Sequence, residues 1–441
     1  MRFPALLISW MLLSFSTAAQ AVTIQEVTSP GGIKAWLVEE HALPLVSTKI
    51  LFKEAGYAHD LPGKEGRANM TAGMLTEGAG ELSGRAFTEA LEGKAIRLQL
   101  AADTDTMQIS LSSLSEHNAQ AFYYLGLVLN QPRFDPDAIE RMRRQSLAVL
   151  AQQEQNPGYL LMRRWQQLAY GTHPYARPQI GFVSSVEELQ KEDLLTYTKA
   201  YLTKENMIVA VVGDITPQAL GALLDQHLGN LPASFKPDSI VPDITVTPKT
   251  EVEEIAFDIP QTMIMFGAQA IKRDDPSYIT AHVMNEIIGG NGLNSLLGDE
   301  LREKRGLTYG AGTVLIPQLH NGSWRGQFST RSEKTQESLQ VLRDTLARFA
   351  AVGPTDKELT DAKRFLTGSF MLHLDSNNDL ADFLANLQLH QLPRDYIDKR
   401  NALIEAVSKD DIKALATRFL QPGSLLIATI GKRAPQPPTQ P

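Results

Sequence analysis

The 441-residue sequence predicts an α+β fold built from two homologous domains, each a mainly antiparallel sheet covered on one face by helices. One observation is an internal repeat, because the segment from Glu187 to Gly213 aligns without a gap to the segment from Glu405 to Gly431. Each copy has the pattern of a helix with an acidic start, a short turn and a β-branched strand that ends at glycine. The other observation is that strand patterns alternate with pairs of helices, which favours helices packed on a sheet.

Apolar periodicity predicts the same order of elements in both halves of the chain. The first half has predicted strands at 33–39, 45–56, 98–102 and 106–112, and predicted helices from about residue 66, at 116–129 and at 136–155. The second half has a strand-like stretch at 254–268 and a predicted helix at 276–288. A duplication would produce this correspondence.

The predicted domain boundary lies near the middle of the chain. Residues 231–250 contain Pro232, Pro237, Pro242 and Pro248 and show no helical periodicity. Proline at this density stiffens the backbone and removes donors, which suits a linker. The prediction is therefore an N-terminal domain over 22–230, a linker over 231–250 and a C-terminal domain over 251–433. A polar, proline-rich tail over 434–441 is predicted to be disordered.

The first 21 residues have the pattern of a signal peptide. Arg2 supplies a positive start, residues 5–15 are apolar, and Ala19-Gln20-Ala21 is a small-x-small cleavage motif. The apolar run is too short to span a membrane. No later segment is apolar for long enough either. The expected location is periplasmic or secreted.

Composition excludes several kinds of site. The chain has no cysteine, so a disulfide, a thiolate zinc site and a cysteine nucleophile are all excluded. A net charge of −8 argues against nucleic acid or an anionic membrane as partner. The two histidines closest in sequence, His373 and His390, are 17 positions apart. No single helix therefore carries two histidine ligands, although a site assembled from distant histidines stays open. His282 and Glu286, one turn apart, favour a half-buried histidine beside a solvated carboxylate.

Four segments resemble a family of zinc metallopeptidases that includes insulinase, pitrilysin and the mitochondrial processing peptidase. These segments are ALPLV at 42–46, GTHPYAR at 171–177, NGLNSLL at 291–297 and LREKRGLTY at 301–309. The resemblance covers essentially the whole chain after the signal peptide. It implies that the two domains form half of a clamshell around a peptide.

In that family the first helix carries an inverted zinc motif, His-x-x-Glu-His, and a later glutamate completes the site. Here Asn69 stands at the first histidine, Ala72 at the glutamate base and Gly73 at the second histidine. Gln145 is the best match for the later glutamate. Since zinc needs such ligands, the resemblance implies that this chain binds no metal ion or cofactor of its own.

The family's second functional element is present. It is an arginine and a tyrosine seven residues apart, matched here by Arg302 and Tyr309. A guanidinium and a phenol can hold a peptide and stabilise the oxyanion that forms at its carbonyl. The competing interpretation is that Arg302, Lys304 and Arg305 form a solvated helix end and that Tyr309 lies in the core. The neighbouring Gly-Leu match favours the functional role.

One half of the family site is lost and the other retained, as in its heterodimeric members. The resemblance therefore implies the non-zinc subunit of an exported metallopeptidase, inactive alone. A zinc-motif partner subunit would hold the zinc and the base, and an extended peptide would be the substrate. Two alternatives remain: a peptide-binding or scaffolding homologue without catalysis, and a stand-alone hydrolase that uses other residues. The turn Gly289-Gly290-Asn291-Gly292 lacks the lysine of a phosphate loop, which argues against nucleotide binding.

Overall fold

A computed structural model describes residues 23–249, 251–290, 294–421 and 423–432. The predicted signal peptide and the predicted tail lie outside the described residues. The predicted α+β class is confirmed, with helices packed on two mainly antiparallel sheets. None of the described helices is both long and apolar enough to cross a membrane.

The first half forms a sheet in the order β1-β2-β8-β3-β7-β6, in which only β2 and β8 run parallel. The strands of this half are β1 (Gln25–Thr28), β2 (Lys34–Glu39), β3 (Leu45–Lys53), β4 (Gly78–Ala79), β5 (Leu82–Ser83), β6 (Arg97–Ala102), β7 (Thr106–Leu114) and β8 (Met207–Gly213). Its helices are α1 (Arg67–Met74), α2 (Gly84–Glu92), α3 (Asn118–Asn130), α4 (Pro136–Gln153), α5 (Pro157–Tyr170), α6 (Val183–Glu188), α7 (Lys191–Tyr201) and α8 (Pro217–Leu228).

The second half forms a sheet in the order β11-β12-β10-β13-β9, in which only β13 and β9 run parallel. Its strands are β9 (Val252–Ala256), β10 (Gln261–Gln269), β11 (Ala311–Pro317), β12 (Gly322–Arg331) and β13 (Leu426–Gly431). Its helices are α9 (Tyr278–Asn285), α10 (Thr335–Val352), α11 (Asp356–Ser369), α12 (Asn377–Leu389), α13 (Tyr396–Ala406) and α14 (Lys409–Phe419). Two π-helical segments, Glu286–Gly290 and Gly298–Glu303, flank the glycine-rich turn.

The two sheets repeat one topology. The order β2-β8-β3-β7-β6 in the first half corresponds to β9-β13-β10-β12-β11 in the second, with the parallel pair at the same place. Helices α7 and α14 have equal lengths and begin 218 residues apart, the offset of the repeat. The exact domain boundaries stay a prediction.

Three predicted elements differ in extent from the structure. The strand-like stretch 254–268 is two strands, because β9 and β10 pair with opposite edges of β13 and proline at position 260 precedes β10. The predicted strand 45–56 stops at Lys53, since Glu54 has a φ of 58°. The predicted helix 276–288 is helix α9 followed by a π-helical segment.

One helix of each half packs on the sheet of the other half. Helix α5 packs on β10 and β13, and the equivalent helix α12 packs on β3 and β8. The reason lies in the central strands, which are apolar on both faces. The second face of β8 carries Ala210 and Val212, which contact Leu384 of α12 in one cluster. On the other side, Trp165 and Ala428 share the cluster that α5 forms with the second sheet. The prediction of helices on one face omitted this exchange, which places residues of both halves side by side.

Candidate functional site

Helix α1 begins at a buried cap. Gly66, with a φ of 93°, precedes the helix, and its backbone N–H donates to Asp60 over 2.8 Å. The N–H of Ala68 donates to the other oxygen of the same carboxylate over 2.9 Å. A carboxylate at this place satisfies free N–H groups of the first turn and interacts favourably with the helix dipole. Asp60 therefore fixes the start of the helix that would carry the zinc motif.

The side chains of α1 do not fit a zinc ion. Asn69 is half-buried and Ala72 is buried, so neither position supplies an imidazole or a carboxylate. A Cβ atom on Gly73 would lie 2.9 Å from the methyl carbon of Met142, which α4 inserts beside the helix. Gln145, one turn further along α4, is exposed. A side chain at position 73 would therefore require the flexible end of Met142 to move aside.

Arg67 of α1 is 2% exposed and makes two hydrogen bonds to Asp238 in the predicted linker, at 2.7 and 3.0 Å. Its guanidinium also lies over the rings of Tyr197 and Tyr201, 5.3 and 5.6 Å from their centroids. The hydroxyl of Tyr201 donates to the same aspartate over 2.6 Å. Because the guanidinium is buried, leaving it without an anionic partner would be costly. These contacts attach helix α1 to the predicted linker.

Tyr309 is 87% exposed, so the alternative that it lies in the core is wrong. It lines an open cavity of about 780 Å³ between the π-helical turn at Gly289 and strands β10 and β12. Met265 and Phe328 supply apolar walls. The edge strand β11 borders the same cavity through Gly312. The phenol is therefore presented to whatever occupies this cavity.

Arg302 does not line that cavity with Tyr309. Its guanidinium donates to the neighbouring Glu303 over 2.9 Å, and its side chain is 27% exposed. Lys304 and Arg305 are not simply solvated, because both pair with the buried Glu300. Burial raises the pKa of Glu300, but its cationic partners outweigh this and lower it to about 2. Arg302 thus belongs neither to the ion pairs around Glu300 nor to the cavity that Tyr309 lines.

The local pair His282 and Glu286 forms no ion pair in the described part of the chain. Burial and the nearby Arg400 and Arg273 lower the pKa of His282 to about 4. Glu286 is 8% exposed, and burial raises its pKa to about 7. The histidine fits the interpretation made from the sequence, whereas the carboxylate is buried rather than solvated. Residues 291–293 of the glycine-rich turn lie outside the described residues.

Two histidines that are far apart in sequence meet at one carboxylate. Oε2 of Glu54 lies 3.0 Å from Nε2 of His59 and 2.9 Å from Nε2 of His320. Burial raises the pKa of Glu54, but the two imidazoles that face it, His320 first, outweigh this and lower the pKa to about 2. The spacing of the histidines in the sequence gave no signal for this cluster.

Sequence analysis also missed two arginines that line a cavity of about 520 Å³. Arg163 on α5 is 8% exposed and Arg325 on β12 is half-buried. Among the described residues neither makes an ion pair, and burial lowers the pKa of both guanidinium groups. Tyr57 lies near both. The only signal for them in the sequence was that each arginine stands at a core-facing position of an amphipathic element.

Two family models match this chain. Residues 39–181 match the model described as insulinase, peptidase family M16, and residues 188–366 match the peptidase M16 inactive domain. The chain belongs to the M16 peptidase family. The family predicted from the sequence is therefore confirmed.

Relatives within the family differ in the activity that their names state. A non-peptidase homologue from Helicobacter pylori is 27% identical over 403 residues, covering 90% of each chain. An uncharacterized zinc protease of Mycobacterium tuberculosis is 24% identical, covering 91% of this chain and 92% of the relative. The beta subunit of the mitochondrial-processing peptidase of Lentinula edodes is 22% identical, covering 95% and 92%.

Solved structures share the fold. The peptidase M16 inactive domain from Pseudomonas fluorescens superposes with a TM-score of 0.88 at 30% identity, covering 95% of this chain and all of that one. A protease from Helicobacter pylori superposes with a TM-score of 0.83 at 16% identity, covering 93% and 99%, which shows the fold alone. The M16 fold therefore extends over nearly the whole chain, and helix α1 carries Asn69, Ala72 and Gly73 where the resemblance expects the zinc residues.

Proposed function

We propose that this chain is the non-zinc subunit of an exported M16 metallopeptidase. It would bind unfolded peptide and present Arg302 and Tyr309 to the zinc site of a homologous partner subunit. The partner would contribute the zinc ion, the general base and the attacking water. Localisation in the periplasm or outside the cell is part of the proposal and rests on the signal-peptide pattern of residues 1–21.

The observation that carries the proposal is the contrast between Gly73 and Tyr309. Met142 fills the space beside Gly73, whereas Tyr309 is exposed at the mouth of a cavity with apolar walls. An 87% exposed tyrosine contributes little to the stability of its own chain. Its phenol can donate a hydrogen bond to a carbonyl oxygen of a bound peptide.

The neighbouring edge strand suits an extended peptide. Among the described residues β11 pairs with β12 alone, so the backbone groups of its other edge are free to pair. Val314 on this strand is 52% exposed. An added strand would gain backbone hydrogen bonds there and place side chains in the cavity. Among the described residues Arg302 pairs with its exposed neighbour Glu303 alone, so it can turn to the peptide at low cost.

Reconstitution tests the proposal. The mature chain is mixed with the zinc-motif M16 protein that co-purifies with it from the native source, and hydrolysis of an unfolded fluorogenic peptide is followed. The mixture should cleave the peptide and each chain alone should not. Tyr309→Phe and Arg302→Ala should each lower kcat about 100-fold, the loss expected for one oxyanion donor. The exposed residues Tyr123→Phe and Arg85→Ala serve as matched controls.

Each outcome has a defined meaning. Chelator-sensitive hydrolysis by the isolated chain would overturn the assignment of a non-zinc subunit. Chelator-insensitive hydrolysis by the isolated chain would support a stand-alone hydrolase instead. Full activity of the mixture with both Arg302 and Tyr309 replaced would remove their role and leave the partnership standing.

A second candidate function is peptide binding or scaffolding without catalysis. It is favoured by the position of Arg302, which lies outside the cavity that Tyr309 lines. A chain with this function would bind extended peptides alone, with an affinity that no M16 partner changes. Fluorescence polarisation of a labelled peptide, with and without the partner, separates the two functions.

A further inference from the structure

Three ligand-type side chains converge at the junction of the two halves. Glu54 follows β3, His59 precedes α1, and His320 lies in the turn between β11 and β12. The two imidazole Nε2 atoms and one carboxylate oxygen lie within 4.8 Å of one another. Oε2 of the carboxylate is 3.0 Å from one Nε2 and 2.9 Å from the other.

Both rings turn their other nitrogen toward an acceptor outside the cluster. Nδ1 of His320 lies 3.2 Å from a carboxylate oxygen of Asp243. Nδ1 of His59 lies 3.5 Å from the backbone oxygen of Ser239. A neutral imidazole whose Nδ1 carries the proton has a bare lone pair on Nε2. Two such lone pairs facing a carboxylate oxygen would repel it, so the centre requires protons or a cation.

The burial of His59 favours a cation. Its side chain is 2% exposed, and its Nε2 has no hydrogen bond of acceptable geometry although Oε2 of Glu54 is 3.0 Å away. A buried polar atom without a partner is costly, and a metal ion bound to this nitrogen would supply the partner that it lacks. A metal ion needs the neutral ring and its lone pair. Outer acceptors that hold Nδ1, as Asp243 does for His320, are typical of histidines that ligate a metal.

We propose that Glu54, His59 and His320 bind one Zn²⁺ ion. Two imidazoles and one carboxylate form a known zinc ligand set, with ligand bonds of about 2.0–2.2 Å. Ligand atoms of such a tetrahedral site lie about 3.3 Å apart, so the contacts of Glu54 with the two histidines, at 3.0 and 2.9 Å, need to widen by only a few tenths of an ångström. A water molecule on the exposed side of Glu54, whose side chain is 24% exposed, completes the coordination.

The scaffold around the site is rigid before any ion binds. The N–H of Leu319 donates to Asp105 and the N–H of His320 donates to the hydroxyl of Tyr175, both over 2.9 Å. These bonds tie the β11–β12 turn of the second half to the first half. Glu54 adopts the left-handed region, at a φ of 58°, which is costly for a residue with a Cβ atom. The surroundings thus hold the carboxylate in place.

The ion would join the two halves of the chain. Glu54 and His59 come from the first half and His320 from the second, and Asp243 belongs to the predicted linker. The ion also revises the expectation that this chain binds no metal, but at a different place from the family's zinc helix. The inference does not depend on the proposed function, since it concerns an ion within a single chain.

Metal analysis of the mature full chain tests the inference. After treatment with a chelator and dialysis, the protein is titrated with Zn²⁺ against a chromophoric chelator, and bound zinc is measured by mass spectrometry. One equivalent is expected. His59→Gln, His320→Gln and Glu54→Gln should each weaken binding more than tenfold, and Asp243→Asn about tenfold, the effect of losing an outer partner. His227→Gln, a histidine outside the cluster, is the matched control.

Cobalt substitution keeps the test decisive if a variant fails to fold. Co²⁺ bound to the unaltered protein should give the visible absorption of a four-coordinate site, and added Zn²⁺ should remove it. Less than a tenth of an equivalent of zinc on the unaltered protein overturns the inference and leaves a cluster that shares protons. The inference is also overturned if a folded variant without both His59 and His320 binds as much zinc as the unaltered protein.

Discussion

Nε1 of Trp165 donates a hydrogen bond over 3.2 Å to the backbone oxygen of Leu426, so helix α5 of the first half is tied to the central strand of the second sheet. The equivalent helix α12 makes the reciprocal bond, from Nε2 of Gln388 to the backbone oxygen of Val209 over 3.0 Å. Gly267 makes room for the indole, because a Cβ there would lie 2.6 Å from its ring. The two halves therefore pack as one unit through exchanged helices.

Removal of the Trp165 side chain should loosen both halves. Trp165→Ala is expected to lower the free energy of unfolding by about 3–5 kcal/mol, because a fully buried indole leaves a large cavity. Trp165→Phe should cost less, since most of the apolar volume stays. Urea denaturation followed by far-ultraviolet circular dichroism measures both. Tyr123→Ala, at a 49% exposed site, is the control and should change stability by less than about 0.5 kcal/mol.

Arg67 should be essential to the stability of α1 although it has no catalytic role. Arg67→Met leaves Asp60, which is fully buried, and Asp238 without their cation. Breaking a buried pair on one side costs about 3–5 kcal/mol. Arg85→Met, which removes an exposed pair, is the control. Equal urea midpoints for the two variants would contradict a structural role for the buried pair.

Restoring the second histidine of the zinc motif should not restore a site. Gly73→His is expected to lower the free energy of unfolding by about 1–3 kcal/mol, because the new side chain meets Met142. Met142→Ala should destabilise the unaltered chain but recover stability in the Gly73→His background. This reversal of sign in a double-mutant cycle would show that the two positions compete for one space. Additive effects would contradict it.

The sequence predicted what depends on local pattern. The repeat that ends at Gly213 and at Gly431 placed equivalent strands at equivalent positions of the two sheets, because period and composition fix where strands and helices form. The assignment of positions 69, 72 and 73 to the zinc motif needs no tertiary information, because the motif lies on one helix, and it stays a prediction. Within M16, such an assignment follows from residue identity alone.

Contacts between the halves could not be predicted from pattern. His59 and His320 are too far apart in sequence for any periodicity to relate them, and only the packing of the two halves brings them to Glu54. The exchange of α5 and α12 was hidden for the same reason, because an amphipathic helix does not specify which sheet it covers. Arg302 and Tyr309 were predicted from their spacing to serve one site, but the spacing did not reveal that Arg302 pairs with Glu303.

His282 should make the protein sensitive to mild acid. Burial, with the charges of Arg400 and Arg273, lowers its folded-state pKa to about 4 from an ordinary value of 6.5. Between pH 6.5 and about 4 the imidazole is therefore protonated in the unfolded chain but not in the folded chain. The free energy of unfolding falls as the pH is lowered through this range. The full loss is about 3 kcal/mol. His282→Gln should flatten the curve of unfolding free energy between pH 7 and 4, with the exposed His373→Gln as control.

Arg325 is expected to lower the free energy of unfolding. It is half-buried and lines the cavity of about 520 Å³ without an ion pair among the described residues, and burial lowers its pKa. A contact over the ring of Trp165, at 5.5 Å, offsets part of the cost of burying the charge. Arg325→Met keeps the volume and removes the charge, so the free energy of unfolding should rise by about 1 kcal/mol or more. Arg331→Met, at an exposed site on the same strand, is the matched control. A loss of stability in Arg325→Met relative to that control would show that the guanidinium stabilises the fold.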